Sequence, residues 1–318
     1  MNVIFAGTSP FAVASLERLI ASAHDVLAVI TQPDKPRGRG RGMQITPVKE
    51  VALAHGIPVL QPEKISAPES VAQIKSYGPI GAMVVVAYGQ KISSELLEWP
   101  EHGVVNVHGS ILPKYRGAAP IQQAVIEGET QTGVTTMLMA EGWDTGDILL
   151  QKNIDIPPDE NAGELSQRLA VIGGDLLIET LNGLEEGLIS PIPQDDELAT
   201  MARSLRRDAG VIDWRRGAAE IVNLIRGCTP KPGAFTKLHS AMIKVWNAAI
   251  EESDGAQGEP GSVVKADKDA VVIAAGNGSV RLIDVQAESR QRMSAADFTR
   301  GAKLRPGDMF EVWFKMAD

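Results

Sequence analysis

Residues 2–31, NVIFAGTSPFAVASLERLIASAHDVLAVIT, hold two short β-branched runs, Asn2–Ala6 and Val26–Thr31, on either side of the apolar-periodic stretch Phe11–Ala21. Such runs predict buried strands, and the stretch between them predicts a helix that crosses from one to the next. The alternation continues outward. Helical stretches at Pro47–His55 and Ala67–Ser76 are interleaved with extended runs at Val59-Leu60 and Gly81–Ala87. Further runs follow at Val104–Val107, Val134–Met139 and Ile148–Lys152, with helices over Ala119–Glu127 and Gly163–Leu184. Strands alternating with helices specify an α/β domain whose parallel-rich sheet is covered on both faces.

From Ser190 the composition changes to SPIPQDDELATMARSL, two prolines and a charge cluster, which reads as a linker. The expected organisation is a first domain over 1–189, a linker over 190–208 and a second domain over 209–318. The second domain opens with a helix at Gly217–Arg226. Short runs follow at Ala241–Ala248, Gly261–Ala266, Ala270–Ala274, Ser279–Val285 and Phe310–Phe314, separated by Gly, Pro and Asp turns. Strands at this spacing predict a small antiparallel barrel.

The chain has 318 residues, 31 basic and 40 acidic, for a net charge of −9 with 44% hydrophobic residues. That composition supports two packed domains and argues against disorder. No apolar stretch approaches the ~18 residues of a membrane span, and the first residues carry no basic n-region. A cytoplasmic protein with no membrane partner is expected. The single cysteine, Cys228, excludes an internal disulfide and speaks against a zinc cluster. Charge is uneven: residues 1–208 hold 16 basic and 26 acidic side chains, residues 209–318 hold 15 and 14. The acidic balance argues against wholesale coating of nucleic acid but leaves room for a local basic arm.

One such arm is evident. Lys35, Arg37, Arg39 and Arg41 alternate with Pro36, Gly38 and Gly40 and no acid. This loop can mould to a phosphate backbone, its guanidinium groups reaching phosphates or base edges; taken alone, a solvated surface loop is the commoner outcome. At the N-terminus Gly7 follows a strand and precedes a helix, as in dinucleotide-binding folds. The second and third glycines of GxGxxG are absent, and no acid ends the second strand at Thr31-Gln32. A nicotinamide site is therefore not provided for.

The densest segment is residues 105–121, VNVHGSILPKYRGAAPI. Side chains alternate along a strand, so Asn106 and His108 share one face at its carboxyl end. An amide and an imidazole side by side can stabilise the oxyanion formed when a carbonyl is attacked. The alternative is a turn-capping Asn and a His satisfied by backbone. Further on, Gly142-Trp143-Asp144-Thr145-Gly146-Asp147 is a glycine-flanked loop between two strands, able to bring a carboxylate to the imidazole. A hairpin with self-bonded aspartates is its simpler explanation.

Taken end to end, the chain resembles the methionyl-tRNA formyltransferase family. The resemblance is carried by VIFAGTSPFA at the start, TQPDKPRGRG followed by TPVK, VVVAYG, NVHGSILPKYRGAAPI, EGWDTGDI, VIDW, and PGAF followed by IKVW. The NxHxS(L/I)LP block with DTGD marks the wider group of transferases that use 10-formyltetrahydrofolate. The basic loop, the RGAAPI extension and the IKVW domain narrow it to the tRNA enzymes. The resemblance implies a Rossmann-like formyltransferase domain and a C-terminal OB-like barrel that binds tRNA. It implies Asn106, His108 and Asp144 as the catalytic trio. Tyr88, Gly89, Ser110, Ile111, Leu112 and Pro113, with Asp144, would form the folate pocket, and the Lys35–Arg41 loop would contact the tRNA acceptor arm. It implies 10-formyltetrahydrofolate as formyl donor, no metal, methionyl-initiator tRNA as acceptor and tetrahydrofolate as product; a monomer is expected. In the implied mechanism Asn106 and protonated His108 stabilise the oxyanion, while Asp144 orients His108 and helps remove the amine proton.

Two departures from the family pattern stand out. Thr229-Pro230-Lys231-Pro232 occupies a position where Asn-Pro-Trp-Pro is frequent, and Trp143 one where leucine is common. The other histidines, His24, His55, His102 and His239, have no partner motif and are expected at the surface or in turns. The alternatives are a formyltransferase for a small amine such as an amino-sugar nucleotide, a formyltetrahydrofolate hydrolase, and a non-catalytic RNA-binding protein. The Gly/Arg loop and the IKVW domain argue against the first, and the intact trio argues against the last.

Overall fold

The computed structural model describes residues 1–36, 43–251 and 258–313. The first half alternates strands and helices: β1 (Asn2–Gly7), α1 (Phe11–Ile20), β2 (Asp25–Ile30), β3 (Lys35–Pro36), β4 (Met43–Gln44), α2 (Pro47–Ala54), β5 (Val59–Leu60), α3 (Pro68–Lys75) and β6 (Ala82–Val86). There follow α4 (Ser94–Leu97), β7 (Val104–His108), α5 (Pro120–Ile126), β8 (Gln131–Leu138), β9 (Ile148–Asp155) and the long α6 (Ala162–Glu185). The seven-stranded sheet has the order β5-β2-β1-β6-β7-β8-β9. Pairing is parallel from β5 through β7, and β8 joins antiparallel to β7. This is the α/β, parallel-rich architecture that the sequence predicts.

Period-two alternation decides what each face of this sheet does. Ile4, Ala6, Met83, Val85 and Val104 enter one apolar cluster with Val71 and Ile74 of α3. On the opposite face Val107 meets α6, where a Cβ on Gly173 would lie 2.8 Å from the Val107 side chain, so only glycine lets the helix approach this closely. Asn106 and His108 therefore share the face of Val104. The core ends at Val104, and polar groups begin at the strand's carboxyl end.

The chain divides into two compact units, Met1–Gly117 with Thr132–Ile154 and Ser166–Met201, and Ala118–Gln131 with Asp155–Leu165 and Ala202–Asp318. Residues 190–201 thus belong to the first unit, and Ile192 bridges Ile148 in β9.

The second unit contains α7 (Ala218–Cys228), β10 (Ala234–Leu238), β11 (Ala241–Glu251), β12 (Val263–Ala266), β13 (Val271–Ala274), β14 (Ser279–Ala287), β15 (Met293–Ser294) and α8 (Ala295–Ala302). Its antiparallel sheet runs β10-β11-β14-β13-β12, with β15 on β14. Bridges from Phe310 to Leu238 and from Met309 to Ser262 join the two ends, so the sheet closes as a barrel. The sequence predicts a strand at Phe310–Phe314; Met309 and Phe310 instead form these isolated bridges, and Phe314 lies outside the described residues. Trp214 is fully buried in this core, donating its indole N–H to Thr236 Oγ1 at 2.9 Å and packing 5.9 Å from the Phe310 ring.

His24 lies in the turn between α1 and β2, one of the two expected placements, but not at the surface. It is buried, its Nδ1 3.2 Å from the N-terminal amine, which also pairs with Glu185 at 2.9 Å. Burial, with the N-terminal ammonium as second cause, pushes its pKa below the ordinary 6.5.

Candidate active site

The carboxyl ends of β1, β2, β6 and β7 converge where the strand order reverses, the position at which open α/β sheets form ligand crevices. Past β1, Thr8 Oγ1 donates to the Tyr88 carbonyl at 3.0 Å, and Gln32 Nε2 donates to the same oxygen at 3.2 Å. Ala87 and Gly89 both have positive φ, 43° and 87°, so the chain bends sharply after β6. The Tyr88 side chain joins the core beside Ile65 and Ile92, leaving its backbone toward the crevice. Its hydroxyl is buried without a partner among the described residues, and burial pushes its pKa up to about 12.

Asn106 and His108 are 9% and 6% exposed. His108 Nε2 lies 2.9 Å from the Tyr115 carbonyl oxygen. A carbonyl only accepts, so Nε2 carries the hydrogen. Nδ1 is then the ring nitrogen facing Asp144, whose Oδ2 is 3.6 Å away. The same carboxylate oxygen accepts from the Gly117 amide at 2.8 Å. Asp144 has φ 52°, a left-handed conformation tolerated by aspartate better than by most side chains. The loop is seated tightly: a Cβ on Gly146 would fall 1.8 Å from the Leu138 carbonyl oxygen. The loop therefore sets a carboxylate 3.6 Å from the imidazole. Trp143, beside it, is 73% exposed.

The turn after β7 is held from within. Ser110 Oγ donates to the Lys114 carbonyl at 2.7 Å. Thr135 Oγ1 donates to the Ser110 carbonyl at 2.7 Å and accepts from the Leu112 amide at 3.1 Å and from Gln151 Nε2 at 3.0 Å. Ile111 points at Gly133, where a Cβ would lie 2.4 Å from its Cδ1. Leu112 is buried, Ile111 and Pro113 are half-buried, and the Leu112-Pro113 peptide is cis. The turn that includes Ser110–Pro113 is thus fixed after His108 by the Ser110 hydroxyl from within and by Thr135 of β8 from the neighbouring strand.

Of the basic loop, Lys35 is exposed in β3, which pairs with β4 through Lys35↔Gln44 and Pro36↔Met43. Arg37, Arg39 and Arg41 lie outside the described residues. The loop's base is braced by Lys49, whose Nζ is 2.6 Å from both Asp34 Oδ2 and Gln61 Oε1. The hydrogen bond from Lys49 holds the Asp34 carboxyl below its usual range.

Sequence reasoning misses the Tyr115 carbonyl, the Gly117 amide, Thr135 and Gln194 as parts of this site. The first two are backbone groups that no residue type announces. Gln194, in the segment expected as a linker, donates to the carbonyls of Asp144 and Gly146.

Residues 1–181 match the family described as Formyl transferase, and residues 204–303 match Formyl transferase, C-terminal domain. A transferase of formyl groups is thus the class that fold and site define. The chain belongs to the methionyl-tRNA formyltransferase family, being 46% identical over 307 residues to the methionyl-tRNA formyltransferase of Geobacter metallireducens, across 96% of this chain and 97% of that one. Among solved structures, the sugar 3N-formyl transferase WlaRD, with dTDP and 5-N-formyl-THF, covers 92% of this chain and 99% of its own at TM-score 0.67 and 17% identity. A methionyl-tRNA formyltransferase from Clostridium thermocellum covers 80% and 95% at TM-score 0.55 and 17% identity. At such identities these two share the fold.

Proposed function

We propose that this protein transfers the formyl group of 10-formyltetrahydrofolate to the free amino group of methionyl-initiator tRNA, acting as a cytoplasmic monomer. The observation that carries the proposal is the meeting of Asn106, His108 and Asp144 at the carboxyl end of a parallel sheet, within a chain of this family. The α-amino group attacks the formyl carbon, and the carbonyl electrons move onto oxygen. Asn106 donates to that oxyanion, and the positive charge of the His108 imidazolium, whose two N–H groups face the Tyr115 carbonyl and Asp144, stabilises it through space. The tetrahedral intermediate collapses with cleavage of the bond to N10, and the proton lost by the amine is delivered to N10, releasing tetrahydrofolate. Asp144 orients His108 through Nδ1 and assists the proton's departure. No step uses a metal.

In this proposal the folate lies along Tyr88, Gly89, the Ser110–Pro113 turn and Asp144. The hydroxyl of Ser110, the ring of Tyr88 and both residues' carbonyls are engaged within the protein, so in this proposal these two residues shape the folate site rather than bind the donor through those groups. The Lys35–Arg41 loop contacts the acceptor arm, with residues 209–318 as a second tRNA-binding domain. Support for the latter comes from the half-buried Trp246 ring, with Lys244 Nζ 5.1 Å from its centre and the Arg292 guanidinium, itself paired with Asp284 at 2.6 Å, 5.8 Å from it. Such surfaces pair phosphate charge with stacking faces.

The test is formyl transfer to charged initiator tRNA, run beside charged elongator methionine tRNA and a control without tRNA. Selective formylation of the initiator is expected. Folate turnover without tRNA would replace the proposal by a hydrolase or small-amine enzyme, and equal use of both tRNAs would remove the initiator selectivity.

A further inference from the structure

Asp144 is held at both ends by a network that begins some fifty residues further along the chain. Gln194 Nε2 donates to the Asp144 carbonyl at 2.8 Å and to the Gly146 carbonyl at 2.7 Å, while its Oε1 accepts from Arg116 Nε at 3.0 Å. Both amide hydrogens and the amide oxygen are engaged, and the pattern fixes the orientation of the amide, since a flip would set its oxygen against two carbonyls. Arg116 is 6% exposed, and its second nitrogen donates to Asp196 Oδ1 at 2.7 Å. The residue after Arg116 is Gly117, whose amide holds the Asp144 carboxylate. The same segment also grips the turn that supplies the Tyr115 carbonyl. Tyr115 N donates to Thr200 Oγ1 at 2.8 Å, and Arg116 N donates to the Thr200 carbonyl at 2.8 Å.

We propose that Gln194 is a positioning residue: with Arg116 it fixes the left-handed backbone at Asp144, and thereby the carboxylate beside His108 Nδ1. This rests on the role given to Asp144 under Proposed function. A residue at φ 52° persists when its surroundings over-determine it, and here the carbonyls on both sides of the Thr145 turn are tied to one side chain. Gln194 need touch neither substrate. Residues 194–200 act as a strap that joins the two loops of the site, 110–117 and 142–147.

The discriminating variant is Gln194→Glu. It keeps the length and the acceptor for Arg116 but removes both donors to the loop carbonyls. Two readouts are compared with wild type: amide hydrogen exchange of residues 142–147, and steady-state formyl transfer with KM for each substrate. Exchange in the loop is expected to rise roughly tenfold or more, with the β1–β7 core unchanged. Turnover is expected to fall on the order of 10²-fold, as for a displaced catalytic group, with both KM values within about twofold. The deficit should narrow as pH is lowered, because a protonated glutamic acid regains one donor. Unchanged exchange, unchanged turnover or a deficit that does not vary with pH would each overturn the proposal. Should Gln194→Glu fail to fold, Gln194→Met removes the same donors without a charge and is read by exchange and turnover alone. Should wild type fail to formylate tRNA, the functional proposal falls, while the exchange arm still decides whether Gln194 holds the loop.

Discussion

The polar groups at the end of the first unit's sheet and the cations of the second unit's barrel are held in opposite ways. Asn106 and His108 are buried, and His108 is locked by a backbone carbonyl on one side and faces a carboxylate on the other. Lys244, Trp246 and Lys231 are only half-buried or exposed, and the contacts of Lys244 are to ring faces rather than to acids. Burial fixes direction, which suits groups that must meet a developing charge; exposure keeps long-range attraction for phosphates and leaves charge open to salt. On the proposed function, the first region carries the chemistry and the second the recognition of tRNA.

Substitution at the chemical end should have the largest effect. Asn106→Ala is expected to lower kcat by ~10²–10³, as for loss of one oxyanion donor. Steady-state kinetics of formyl transfer measure it, and a rate near wild type would remove Asn106 from the chemistry. Next in size is a structural effect confined to the barrel. Trp214→Ala should destabilise it by about 3–5 kcal/mol, as for other buried aromatic truncations, measured by urea unfolding. A loss under 1 kcal/mol would mean that the barrel core does not depend on this indole.

Recognition should respond more mildly. Alanine at Arg39 and Arg41 together should weaken tRNA use and lower the salt slope of binding by about 2, one per phosphate contact, while folate KM stays put. An unchanged slope would take the loop out of the interface.

The smallest effect concerns pH. The pKa of His24 is lowered in the folded state, so the unfolded chain binds the proton more readily. Its stabilising contribution is full above the unfolded value of 6.5 and is lost as pH falls below it. Glu185, hydrogen-bonded to the N-terminal ammonium, is also lowered, and its contribution is present above 4.5 and lost below. The thermal midpoint should therefore drop modestly between pH 7 and pH 5, and His24→Gln should flatten that drop. A flat wild-type profile would contradict the burial of a neutral imidazole.

Much of this was legible in the sequence because buried parallel strands are nearly unbroken β-branched runs. AMVVV in β6 and VVNVH in β7 announce themselves, and period two puts Asn106 and His108 on one face without any structure. The barrel was less legible. AFTKL in β10 carries one exposed-type Lys among five residues, and AADFTRGA in α8 has small residues where a helix face usually shows larger ones. What could not be read at all are the contacts made by return of the chain. Gln194 reaches Asp144 only after α6 has crossed the sheet, and Glu185, the last residue of that helix, comes within 3.8 Å of His24 Nδ1. No local pattern encodes such partners.

The proposed function divides chemistry and recognition between the buried polar end and the exposed cationic face. Its most direct test is a pair of variants measured side by side, Asn106→Ala and Lys244→Ala, each assayed for kcat and for KM of charged initiator tRNA across a salt series. Asn106→Ala is expected to lose kcat with tRNA KM and salt slope preserved, while Lys244→Ala is expected to keep kcat, raise tRNA KM and lower the slope by about 1. If both variants change the same parameter, or Lys244→Ala leaves KM and slope untouched, the division fails.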